Sequence, residues 1–301
     1  MRPSIAASIL FLSTSALADT WTVDDDGTAD FDTIQAAVNA AADGDVILIA
    51  PGTYTSNSNA GVVSISSKSL TLESSGEPAL TILDGQHARS VISCNTCASI
   101  TIEGLTITRG GYNEDWLDGG GIRCWASGMT VSNCIISNNS TSMGVTGGAG
   151  MLCQSTYYED IYNPIITNCT FENNHCGSYG GAIEVSLSTP TITGCTFADN
   201  TAAMGGDDIY IWYDSYAYIN DCEFCGSSAP IEGPHLGSEN LFLSDCPTPC
   251  PDLNSDNLVG VADLLYVLEH WGQAIQDDPD GNDICDSSDI AILISNWGAC
   301  P

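Results

Sequence analysis

The densest chemistry in the sequence lies near its C-terminus. There Asp252, Asn254, Asp256 and Asp263 recur 26 residues on as Asp278, Asp280, Asn282 and Asp289. Oxygen side chains at positions 1, 3, 5 and 12 of a loop, with a backbone carbonyl at position 7, meet the demand of calcium for six to eight hard oxygen ligands. Leu258 and Ile284 stand at position 7, and Asp286 adds an oxygen at position 9 of the second loop. Position 6 is Asn257 or Asp283 in place of glycine, and both residue types tolerate the left-handed turn required there. Each loop runs into a short apolar segment ending in Trp271-Gly272 or Trp297-Gly298, so the sequence predicts two half EF-hands that need calcium to fold.

Two other groups of residues have the right types for chemistry. Arg109 and Arg123 flank a glycine-rich loop holding Glu114, Asp115, Trp116 and Asp118, where Asp115 and Asp118 are candidates for acid and base in glycoside cleavage. Trp125, then Tyr157, Tyr158, Asp160 and Tyr162, then Trp212, Tyr213 and Asp214 follow successive apolar strands. Aromatic faces beside carboxylates suit sugar rings, whose apolar faces stack while their hydroxyls need acceptors. Binding is the primary expectation, and cleavage of a polysaccharide by a lyase or glycoside hydrolase is the alternative.

Charge narrows the classes. The chain carries 38 acidic and 5 basic side chains, a net of −33, which repels nucleic acid and anionic lipid and attracts cations. The first 18 residues read as a secretory signal peptide, with Arg2, an apolar run from Ile5 to Leu12, and Ala16-Leu17-Ala18 before Asp19. No later apolar run is long enough for a membrane helix, so the sequence predicts a secreted, extracellular or cell-surface protein without a transmembrane segment.

These candidates need a scaffold, and the sequence contains one. Ile102, Leu105 and Ile107 return as Val131, Cys134 and Ile136, as Ile166, Cys169 and Phe171, as Ile192, Cys195 and Phe197, and as Ile219, Cys222 and Phe224. The internal spacing is always three and then two, while the period wanders, as in a stack of coils with loops of varying length. Five residues past each central position stands a turn-former, Gly110, Asn139, Asn174, Asn200 or Ser227, and glycine pairs such as Gly120-Gly121 and Gly180-Gly181 open a further strand. The pattern predicts an all-β, parallel β-helix over residues 19–227, with a β-propeller as the rival. Of the fourteen cysteines, Cys134, Cys169, Cys195 and Cys222 fall in one interior column and Cys124 and Cys153 in another, where strand spacing favours free thiols over disulfides. Cys94-Asn95-Thr96-Cys97 could be a local disulfide or a redox pair. A helix beginning near Asp32, with Ile34, Ala37, Val38 and Ala41 on one face, would cover the first coil.

The run Thr33-Ile34-Gln35-Ala36-Ala37, then Gly44-Asp45, an apolar strand and Pro51-Gly52-Thr53-Tyr54, resembles the N-terminal cap of the pectin-lyase-like, right-handed β-helix superfamily. Phe171-Glu172-Asn173-Asn174 before Gly180-Gly181-Ala182-Ile183 is similar to repeats of polymorphic outer-membrane adhesins, although the C-terminal membrane barrel of those proteins has no counterpart here. Lyases of the superfamily generally use Arg or Lys as base, and only Lys68, Arg89, Arg109 and Arg123 remain once the leader is removed. Residues 228–250 read as a linker, and residues 251–301 resemble a type I dockerin of the planctomycete Trp-Gly/Cys variety. That resemblance implies anchoring to a cohesin-like or other surface partner. Cys250 and Cys300 bracket the duplicated unit and could clasp it, with Cys246 as a competing partner.

Overall fold

A computed structural model describes residues 18–57, 61–111, 120–142, 147–156, 162–244, 246, 253, 258–273, 287–295 and 298–299. Of the signal peptide expected over residues 1–18, residues 1–17 lie outside the described residues. Among those described, no helix is long and apolar enough to cross a membrane. The chain divides into two compact units, Met1–Cys246 and Pro247–Pro301.

The first unit is a right-handed parallel β-helix. Its coils build a nine-stranded, an eight-stranded and a seven-stranded sheet, visited in that order in every full turn. Strand pairing is parallel and in register, for example Met129 with Ile100, Ile136 with Phe171, and Cys124 with Cys153. The three-then-two spacing now has a mechanical reason. In one coil Val131 ends an inward-facing pair on the nine-stranded sheet, Asn133 takes a left-handed bend at φ 52°, and Cys134 turns inward before Ile136 enters the eight-stranded sheet. Gly104, Asn168, Gly194 and Asp221 make the same bend in other coils, and glycine, asparagine and aspartate tolerate it best.

A second left-handed bend follows the eight-stranded sheet, at Arg109, Asn138, Asn173, Asp199 and Gly226. It turns the next residue inward, and in three coils that residue is a fully buried asparagine. Asn139 Nδ2 donates to Asn174 Oδ1 at 3.0 Å, and Asn174 Nδ2 donates to Asn200 Oδ1 at 3.0 Å. Asn200 Nδ2 donates to Asp208 Oδ1 at 2.9 Å, ending the ladder on a carboxylate. The adjoining glycines are needed because a Cβ at Gly121 would meet Gly150 O at 2.5 Å, and one at Gly181 would meet Asp207 O at 2.1 Å. Beside the ladder Phe171, Phe197, Phe224 and Phe242 stack with ring centroids 5.1, 4.7 and 5.0 Å apart.

Helix α1, Ile34–Ala40, covers the first coil with Ile34, Ala37 and Val38 buried. Thr33 caps its start, and Lys68 Nζ donates to the carbonyls of Val38, Asn39 and Ala41 at its end, where a cation also favours the helix dipole.

The linker expected at 228–250 is largely a last coil. Ile231–Glu232, His235–Leu236 and Leu241–Leu243 pair with the three preceding strands, and Cys225 is bonded to Cys246. This coil is shorter than the others and has neither the corner cysteine nor the glycine pair, so periodicity did not reveal it. Cys246 is therefore not the rival partner foreseen for Cys250 or Cys300, which lie outside the described residues. Nine other described cysteines are free and buried, including Cys94 and Cys97.

In the second unit, helix α2 (Val261–Glu269) packs against helix α3 (Ser287–Ser295) through Val259, Val267 and Leu293. Leu258–Val259 pairs antiparallel with Gly298–Ala299.

Candidate functional site

The outer face of the seven-stranded sheet gathers polar and aromatic side chains that the core does not require. Register sets Arg123, Leu152, Glu184, Tyr210 and Glu232 side by side across five strands, and Trp125 beside Gln154 and Ser186 in the neighbouring row. Trp212 follows directly after the strand Ile209–Ile211. Three strand steps separate the Trp125 strand from that one, about 14 Å at the usual interstrand spacing.

Glu184 is the anchor of this face, a carboxylate only 1% exposed. Its Oε1 accepts a hydrogen bond from Trp212 Nε1 at 2.8 Å, and its Oε2 accepts from the Gly147 N–H. The Trp212 ring meets Tyr179 and Tyr210 edge-on at 5.3 and 5.2 Å, and those two tyrosines lie 4.3 Å apart. Burial raises the Tyr210 phenol above its ordinary pKa, and the Glu232 carboxylate adds to the effect. Across the face, the Arg123 guanidinium sits 4.9 Å from the Trp125 ring centre. Gln154 Oε1, on the strand beside Trp125, and Thr156 Oγ1 are buried, and neither has a hydrogen-bond partner among the described residues. Buried polar atoms ordinarily have one, so this pair marks a place where an added hydroxyl or water would be stabilised.

Of the residues expected to bind a ligand, Trp125 and Trp212 share this face, and Tyr213 beside it is 86% exposed. Asp214 Oδ1 accepts from Ser215 Oγ at 3.2 Å. Tyr162 lies on the approach to the nine-stranded sheet, where its carbonyl accepts from Ser188 Oγ at 2.9 Å. Tyr157, Tyr158 and Asp160 fall outside the described residues. Sequence reading missed Tyr179, Tyr210, Glu184, Gln154 and Thr156. The available signal was Glu184 and Tyr210 alternating with apolar neighbours, which assigns both to the outer face.

The proposed catalytic group is not brought together among the described residues, because Asp115 and Asp118 lie outside them. Arg109 is turned to Asp84, to which its Nε donates at 3.0 Å and its Nη2 also donates. Arg123 belongs to the aromatic face. Lys68 caps α1, and Arg89 donates to Gln86 Oε1 at 2.9 Å and to the Ser56 carbonyl. Lys68, Arg89, Arg109 and Arg123 therefore each have a structural partner.

In the second unit Asp263 and Asp289 are fully buried and occupy the third position of their helices. Asp263 Oδ1 accepts from the Leu253 N–H at 2.8 Å and Oδ2 from the Gly260 N–H at 2.7 Å. Two buried carboxylates at equivalent places, with the Leu258 carbonyl on an adjacent strand, make a donor chemistry that fits a hard cation. Asp252, Asn254, Asp256, Asp278, Asp280, Asn282, Ile284 and Asp286 lie outside the described residues.

The sequence matches the family described as "Right handed beta helix region" over residues 52–224. Among solved structures it is similar to a pectin methylesterase from carrot, with 13% identity, 76% of this chain and 85% of that chain covered, and a TM-score of 0.46. It is also similar to the pectin methyl esterase of rice weevil, with 14% identity, 78% and 91% covered, and a TM-score of 0.46. A search of curated proteins found no match.

Proposed function

The chain belongs to the right-handed β-helix region family, and from that premise we propose that it is a secreted protein that binds polysaccharide along the outer face of its seven-stranded sheet. The observation that carries this reading is the group of partly exposed rings on that face, Trp125, Tyr210 and Trp212, with Tyr213 86% exposed beside them. A sugar would stack its apolar face on these rings. The rigid stack of coils holds these groups on strands, which keeps the site organised before the ligand arrives.

The second part of the proposal concerns residues 251–301, which act as a dockerin-like anchor. Calcium would be held by Asp252, Asn254, Asp256, Asp263 and the Leu258 carbonyl in one loop. Asp278, Asp280, Asn282, Asp286, Asp289 and the Ile284 carbonyl would hold it in the other. The ion offsets repulsion among clustered carboxylates and frees α2 and α3 to present a surface to a cohesin-like or other anchoring partner.

The test is binding of the purified protein to a panel of plant and algal polysaccharides, with reducing and unsaturated ends assayed in the same incubations. Trp125→Ala and Tyr213→Ala should each weaken binding about fivefold, the equivalent of about 1 kcal/mol per lost ring stack, with little change in melting temperature. Unchanged binding in both variants would refute the assignment of this face, and newly formed chain ends would establish an enzyme.

A further inference from the structure

A second site lies at a different corner, where the eight-stranded sheet bends toward the seven-stranded one. The backbone segments that carry His87, Arg89 and Arg109 meet there. The His87 N–H donates to the Arg109 carbonyl at 2.7 Å, and the Gly111 N–H donates to the Arg89 carbonyl at 3.1 Å.

Arg109 is also unusual for its place in the coil. The equivalent left-handed positions are Asn138, Asn173, Asp199 and Gly226, the types that accept such a backbone readily, whereas arginine there at φ 50° carries strain. The strain accompanies a defined orientation. Asp84, with a side chain 3% exposed, accepts from two nitrogens of the guanidinium and also takes the Gln86 N–H at 2.8 Å through Oδ1. A bidentate carboxylate fixes the plane of the fork and leaves its remaining N–H groups for another acceptor. The Arg109 side chain is 51% exposed, on a groove of about 410 Å³ that it lines with Thr53, Ile82, Asp84, His87, Thr108 and Asn138.

We propose that this groove binds an oxyanion, a carboxylate or sulfate group, with Arg109 as the principal donor and Asn138 and Thr108 completing the cradle. Asp84 is a positioning residue that holds the guanidinium plane. The site is separate from the aromatic face and does not depend on polysaccharide binding there.

With so few arginines, the side-chain Nε resonances can be assigned by substitution and followed during titration of the full chain at constant ionic strength. The probes are sodium acetate, sodium sulfate and galacturonate, with galactose as the neutral control. The Arg109 signal should shift and saturate with acetate, sulfate or galacturonate and remain still with galactose. Saturation by galacturonate alone would assign the group to a sugar, and saturation by the simple salts to a free oxyanion. Arg109→Lys, which lacks the reporter resonance and is therefore followed by titration calorimetry, keeps the charge but loses the fork and should weaken binding at least tenfold. Asn138→Gly suits the left-handed backbone, leaves the ion pair intact and should also weaken binding, so it decides the matter if the arginine variant does not fold. No saturation with any anion, an equal response to galactose, or undiminished affinity in Asn138→Gly would overturn the proposal.

Discussion

Replacing Asp208 with asparagine should make the β-helix more stable, and increasingly so as the pH rises. Asp208 is fully buried, with Oδ1 bonded to Asn200 Nδ2 and Oδ2 lacking a partner. Burial pushes its carboxyl up from the ordinary range to about 7, and the neighbouring Asp207 and Asp199 carboxylates push in the same direction. Folded chains therefore keep a proton that unfolded chains release above about pH 4, so the folded state loses stability as pH rises from there through about 7, and the cost is level above it. Relative to an uncharged asparagine of the same shape, the cost is about 2 kcal/mol at pH 5 and on the order of 4 kcal/mol at pH 8. The added amide would extend the asparagine ladder toward Ser227, whose hydroxyl lies beside Asp208 and is buried without a partner. Calorimetry of both proteins from pH 5 to pH 8 is the assay. At about 2–4 °C per kcal/mol for a chain of this size, the variant should melt about 8–16 °C higher at pH 8 and about 4–8 °C higher at pH 5. A difference that does not change with pH, or a variant less stable at pH 8, would refute the assignment of a costly buried charge.

Asn174→Ala should destabilise the coils by about 2–4 kcal/mol in chemical denaturation, because it strands the four partners of that side chain on Asn139, Ile136 and Asn200. A loss below 1 kcal/mol would show that water replaces the ladder. Phe197→Ala opens the ring stack on both sides and should cost about 3–5 kcal/mol by the same measurement. In calorimetry of the full chain, a chelator should lower the transition of residues 251–301 and leave that of the β-helix in place. Like charges 4 Å apart repel by about 4 kcal/mol at an effective dielectric near 20. Two transitions that chelator does not move would remove calcium from the proposal.

Much of the solenoid was legible because its bends consume one residue each. The spacing from Val131 through Cys134 to Ile136 is the footprint of a strand, a left-handed corner and a strand, and it survives loops of any length. The buried asparagines were readable for the same reason, since the second corner always turns the next side chain inward. The final coil escaped because Leu241–Leu243 is held by pairing and by Phe242 stacking on Phe224, neither of which leaves a periodic mark in so short a stretch. The face around Glu184 was legible only in part. Alternation places Glu184 and Tyr210 outward, but their meeting with Trp212 and Tyr179 depends on cross-coil register and on where a loop returns. The Arg109–Asp84 pair joins consecutive coils 25 positions apart, a distance fixed by loop lengths that sequence alone does not constrain.

The two ends of the β-helix differ, and the difference has a direction. Helix α1 closes the end made first, while Leu236, Leu241 and Phe242 in the last coil are each at least half exposed. Ribosomes deliver a chain from its N-terminus, so the lid and the first rung exist before the next rung emerges. Each new coil then meets a finished template of the same shape and needs to find only its immediate neighbour, which keeps the search local despite the parallel pairing. The Cys225–Cys246 bond can close only after the last rung has been laid down, so it acts as a latch on completed growth.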